Sequence, residues 1–125
     1  MKVILFIFLP FIILNQSFSI NNFLDYLKNT GYYETIEYIK LIFGDDVAIE
    51  VCRELLQTND CEVVVKVYML PWTSPSRAPI RKEEGTNKLT QILFQEENLK
   101  ILTQFYTKRE IMDLAIRVIN KVIKQ

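Results

Sequence analysis

Histidine is absent from all 125 residues. With it go the commonest general base and the commonest zinc ligand, and no Ser–His or Cys–His nucleophilic pair can form within the chain. Glycine is nearly as scarce. Gly31, Gly44 and Gly85 are the three present, too scattered for a phosphate-cradling loop. Beyond residue 19 the serines are Ser74 and Ser76, neither of them in a nucleophile elbow. Carboxylates fall in neighbouring pairs, Asp45-Asp46, Glu83-Glu84 and Glu96-Glu97, whereas a glycosidase needs two carboxyls facing each other across a cleft. The pairs read as solvated surface, with Asp45 and Asp46 as helix-start residues. No catalytic residue, metal site or cofactor is expected, and the chain reads as a non-enzyme.

An excess of charge is missing as well. Fifteen basic residues balance fifteen acidic ones. Nucleic acid and polybasic membrane attachment both need clustered Lys and Arg, so neither is expected.

What is present begins with an export signal over 1–19. Lys2 gives the positive start, Val3 to Leu14 is apolar but for Pro10, and Ser17 and Ser19 lie two apart before a cleavage point after Ser19. The apolar run is about 12 residues, short of the roughly 18–20 of a membrane helix, which disfavours the rival reading of an uncleaved anchor. Secretion to the extracellular space follows. There, the two cysteines of the mature chain, Cys52 and Cys61, are expected to form one disulfide.

Caps and apolar periodicity predict helices through the rest. The first begins at Asn22, whose side chain would accept from the Asp25 N–H, buries Phe23, Leu24 and Leu27, and stops or kinks at Gly31. Residues 32–43 turn Ile36, Ile39, Leu41 and Ile42 inward, with Glu34, Glu37 and Lys40 outside. Residues 47–57 bury Ala48, Val51, Cys52, Leu55 and Leu56. The segment 61–70 (CEVVVKVYML) is ambiguous. Val63, Val65 and Val67 alternate as in a strand, whereas Asn59 with Glu62 resembles a capping box and Glu62 lies one helical turn before Lys66. Helix is expected because a lone strand would have no partner for its backbone.

Residues 71–85 (PWTSPSRAPIRKEEG) hold three of the four prolines and are expected as one long loop, a length that is usually functional or disordered. Helix then resumes to about Thr107, with 95–98 able to bend or split it. A capping box at Thr107–Glu110 starts a last helix with an apolar stripe of Ile111, Leu114, Ala115, Val118, Ile119 and Val122. Ile116 and Ile123 lie beyond that stripe, which suggests a filled core, a homodimer interface or a ligand cavity.

The expected fold is therefore all-α: a small bundle of four to five helices forming a single domain over 20–125, with a Pro-rich loop at 71–85. Cysteines bracketing one helical hairpin resemble part of the saposin-type membrane-interacting proteins. The other cysteines of that family are missing, so its lipid chemistry does not carry over. The expected function is that of a secreted protein binding an unidentified protein partner through the loop, with Trp72, Arg77, Arg81 and Lys82 as contact residues. The alternative is a carrier of lipid or another hydrophobic ligand, or a membrane-active protein. Arg81-Lys82 is also a dibasic pair, and cleavage there would free 83–125, which no disulfide tethers.

Overall fold

A computed structural model describes residues 20–69 and 80–124. The described residues are all-α, 82% of them helical and none in a strand. In chain order the helices are α1 (Ile20–Thr30), α2 (Tyr32–Phe43), α3 (Asp45–Leu56), α4 (Asp60–Val63), a π-helical turn (Val64–Tyr68), α5 (Lys82–Leu93), α6 (Glu96–Leu102) and α7 (Lys108–Val122). Seven α-helices among the described residues replace the expected four to five, because Asp60–Val63 forms a short helix of its own and the chain splits between Leu93 and Glu96. No helix among the described residues is long and apolar enough to cross a membrane.

Two glycines turn the first three helices with almost no loop. Gly31, at φ 94°, donates its N–H to the Leu27 carbonyl at 3.2 Å and separates α1 from α2. Gly44 has φ 99° and ψ −179°, a backbone region that side chains avoid. Its N–H meets the Lys40 carbonyl at 2.8 Å, closing α2 directly onto α3. Asn22 is not the cap of α1, which already runs from Ile20.

The buried side chains of all seven helices form one continuous cluster. From α2 it takes Tyr32, Ile36, Ile39 and Phe43; from α3, Val47, Ala48, Val51, Cys52 and Leu55. The α7 stripe follows its sequence pattern, with Ile111, Leu114, Ala115, Val118 and Ile119 buried and Val122 partly buried. At its start the Thr107 hydroxyl accepts the Glu110 N–H at 3.1 Å, and the Glu110 carboxylate accepts the Thr107 N–H at 2.8 Å. That reciprocal pair is the predicted capping box, and a cap of this kind contributes about 1 kcal/mol.

The start of α5 differs from expectation, and the possible break at 95–98 is realised. Helix α5 starts at Lys82 rather than after Gly85, so the predicted loop 71–85 loses its last four residues to helix. Gly85 reads as a breaker in sequence, but it stands inside α5 where a Cβ would lie 3.2 Å from Ile80 Cγ2 and from Ile123 Cδ1. Its small size admits those neighbours. Between α5 and α6 the chain does split: Gln95 is extended, and the Asn98 amide turns back to donate to the Ile92 carbonyl at 2.8 Å. Asn98 Oδ1 also accepts the hydroxyl of buried Thr35 at 2.5 Å, fastening α6 to α2.

Candidate binding surface

Cys52 and Cys61 are joined in a disulfide with Cα atoms 5.8 Å apart, and both are fully buried. The bridge pins α4 to the side of α3 and fixes where the following segment starts. That segment is helical, not a strand, although the expected Asn59 cap does not form. Instead the Thr58 hydroxyl accepts the Asp60 N–H at 3.2 Å, and Glu62 pairs with Lys66 at 3.1 Å. Lys66 holds the Glu62 carboxyl below the usual range, and Arg53 adds to that effect.

Past Val63 the hydrogen bonds widen to the π register. The Met69 N–H reaches the Val64 carbonyl at 3.1 Å, a five-residue span where an α-helix would use four. Two side chains of α2 hold the turn. Lys40 Nζ donates to the Val65 carbonyl at 2.6 Å, and the Tyr33 hydroxyl donates to the Tyr68 carbonyl at 2.9 Å. Lys40 was expected outside with Glu37, yet it is 2% exposed. Its aliphatic stem lies in the core and its ammonium finds the Val65 carbonyl, with Asp45 Oδ1 at 3.6 Å. Burial followed by Glu37 raises the Tyr33 phenol above its ordinary value.

The outer side of this turn carries three large apolar side chains beside the exposed Lys66–Glu62 ion pair. Val63 and Tyr68 are each 44% exposed and Val67 is 69% exposed, while Val64, Val65 and Met69 point inward. β-Branched residues are poor helix formers, so here tertiary tethers override local preference and leave valines in solvent. Such conflicts between local and global preference concentrate at functional surfaces. Sequence reading missed this surface. Its signal was the disagreement between the valine alternation and the Glu62–Lys66 spacing.

The residues predicted for binding are divided. Trp72 and Arg77 lie outside the described residues. Arg81 is exposed and extended, and its carbonyl accepts the Gly85 N–H at 2.8 Å. Lys82 is the first residue of α5, so half of the dibasic pair stands on helical backbone. A shallow open groove of about 390 Å³ gathers Arg81 with Glu83, Glu84, Asn87, Lys88 and Gln91 but not Lys82. Its lining residues are polar or charged, of both signs, and follow the start of α5.

The three carboxylate pairs share a structural explanation. Asp45-Asp46, Glu83-Glu84 and Glu96-Glu97 each occupy the first turn of a helix, where negative charge meets the positive end of the helix dipole. An ion-pair ladder crosses from α7 to the π turn. Lys121 meets Glu50 at 2.9 Å, Arg117 meets Glu54 at 2.9 Å, and Arg53 links Glu50 at 3.8 Å to Glu62 at 3.2 Å. Glu50 and then Glu54 raise the Lys121 ammonium above its ordinary value.

Fold and surface together define an all-α protein with one disulfide bracing an exposed apolar π turn. No family model matches the chain, and comparison with characterised proteins and with solved structures finds no match either.

Proposed function

We propose that this chain is a small secreted, non-enzymatic helical protein that acts by binding another protein, and that Val63, Val67 and Tyr68 are contact residues. The observation that carries this reading is the exposed apolar side of a turn held from behind by a disulfide, a buried lysine and a tyrosine. A rigid apolar surface loses little conformational entropy on association, which favours its use as an interface. Export over 1–19 and the disulfide support placement outside the cell, where thiols oxidise.

Lipid carriage stands second. Of the wide apolar faces that suggested a cavity, Ile123 packs over Gly85 and the inner α7 stripe is buried in the shared core, while Ile116 stays 44% exposed.

The test uses full-length chain expressed in a eukaryotic host and recovered from the medium. Wild type and Val63→Glu/Val67→Glu, matched by circular dichroism, are crosslinked to cells and to extracellular fluid. A discrete protein adduct formed by wild type and lost in the variant supports the reading. Equal crosslinking by both proteins, or a chain retained in the cell with residues 1–19 attached, overturns it.

A further inference from the structure

We infer that Lys40 is the latch holding residues 64–69 in the π register, and that it thereby sets the direction in which Val67 and Tyr68 face. The inference concerns regulation of the surface proposed above and takes its functional meaning from that reading.

Donors and acceptors around Val65 differ between the two registers. In an α-helix the Tyr68 N–H would satisfy the Val64 carbonyl and the Met69 N–H the Val65 carbonyl. In the structure the Met69 N–H goes to Val64 instead, at 3.1 Å. The Val65 carbonyl has therefore lost the backbone donor it would hold in the α register. Lys40 Nζ supplies the replacement at 2.6 Å. Both groups are buried, and unmatched buried polar groups are strongly disfavoured. In the α register the Val65 carbonyl would hold a backbone donor and the buried ammonium would have to share it, with Asp45 Oδ1 at 3.6 Å as its other acceptor.

The two registers thus differ in who meets Val65, and the lysine decides between them. A slip of one residue carries the side chains beyond it round by about 100°. It would swing Tyr68 away from Tyr33, break their 2.9 Å bond, and draw Val67 off its present outward direction. Lys40 touches no partner in this scheme. It is a positioning residue acting through the backbone of the turn.

NMR on the secreted full-length protein tests the latch without any binding partner. In wild type, the Lys40 ammonium is expected to give a slowly exchanging ¹⁵N signal with NOEs to Val65; a rapidly exchanging ammonium without them overturns the proposal, and no substitution is needed. In Lys40→Met, which keeps the stem and removes the donor, the Tyr33–Tyr68 NOEs are expected to vanish and the 65–69 NOEs to take α spacing. A folded Lys40→Met protein with the wild-type pattern over 64–69 also overturns it. Because neither readout involves a partner, failure of the latch leaves the crosslinking test intact. Equal crosslinking by the valine variant likewise leaves the latch intact.

Discussion

The scarcity of glycine permits a sharp test of the backbone, because each of the three is held for a different reason. Gly44, at φ 99° and ψ −179°, occupies a region that strains any L side chain by about 1–3 kcal/mol. Gly31, at φ 94° and ψ −5°, is left-handed, where an L-residue loses roughly 1–2 kcal/mol. A Cβ there would also approach Ile101 Cδ1 to 2.5 Å, a contact that the tip of a flexible side chain relieves by rotating. Gly85 has ordinary helical backbone. There alanine gains up to about 1 kcal/mol of helix propensity, opposed by Cβ contacts of 3.2 Å with Ile80 and Ile123. Gly44→Ala should therefore lose about 2 kcal/mol, Gly31→Ala a similar or smaller amount, and Gly85→Ala close to none. At roughly 4–8 °C per kcal/mol for a domain of this size, Gly44→Ala melts about 8–16 °C early. Urea denaturation of the three variants, with the disulfide intact, measures the order directly. Equal stability of Gly44→Ala and Gly85→Ala refutes the corner between α2 and α3 as described.

Alkali and reduction probe two other parts of the fold. The Tyr106 hydroxyl donates to the Leu55 carbonyl at 2.6 Å, and its pKa is pushed up to about 12, first by burial and then by Tyr26, Glu110 and Glu54. Burial also raises the phenols of Tyr26 and Tyr32. In the unfolded chain these groups ionise near pH 10. The folded state therefore keeps its protons longer, and its stability is full below pH 10 and falls as pH rises toward 12. Denaturant midpoints read across that window by circular dichroism should decline, and less steeply in Tyr106→Phe; a flat profile contradicts the burial of the three rings. Replacing both Cys52 and Cys61 by alanine should lower stability by about 2–3 kcal/mol, the loop-closure value for a separation of this length. An unchanged urea midpoint would show that the bridge does not constrain the chain.

The sequence carried the last helix better than the middle of the molecule. Thr107, Glu110 and the α7 stripe form a signal in which cap chemistry and periodicity agree, and the structure follows both. Gly85 misled because a small residue marks either a turn or a close approach, and the approach of Ile80 and Ile123 comes from elsewhere in the chain. Lys40 misled more deeply. A lysine one turn from Glu37 reads as surface, and only packing α2 against the π turn shows the Val65 carbonyl that it satisfies. The π register itself has no local signature: valine alternation and an i, i+4 ion pair pulled in opposite directions, and contacts from α2 decided the outcome. Of the predicted contact residues, Arg81 joins a shallow groove along α5 and Lys82 joins a helix, while the exposed valines of the turn were legible only as a contradiction.

The placement of the disulfide has a consequence for how the molecule would behave once cut. Both cysteines precede residue 70, and the protein has no others, so α5, α6 and α7 are joined to the first half by a single stretch of main chain. Their side chains nevertheless complete the shared core, with Leu89, Leu93, Ile111 and Ile119 buried alongside Ile36 and Val51. A break anywhere between Met69 and Ile80 would turn an intramolecular core into a bimolecular one. The nicked protein would keep its shape at high concentration and fall apart on dilution, its stability now governed by mass action. A second bridge across the two halves would abolish that dependence. Its absence gives a protease acting between Met69 and Ile80 the power to set the lifetime of the fold.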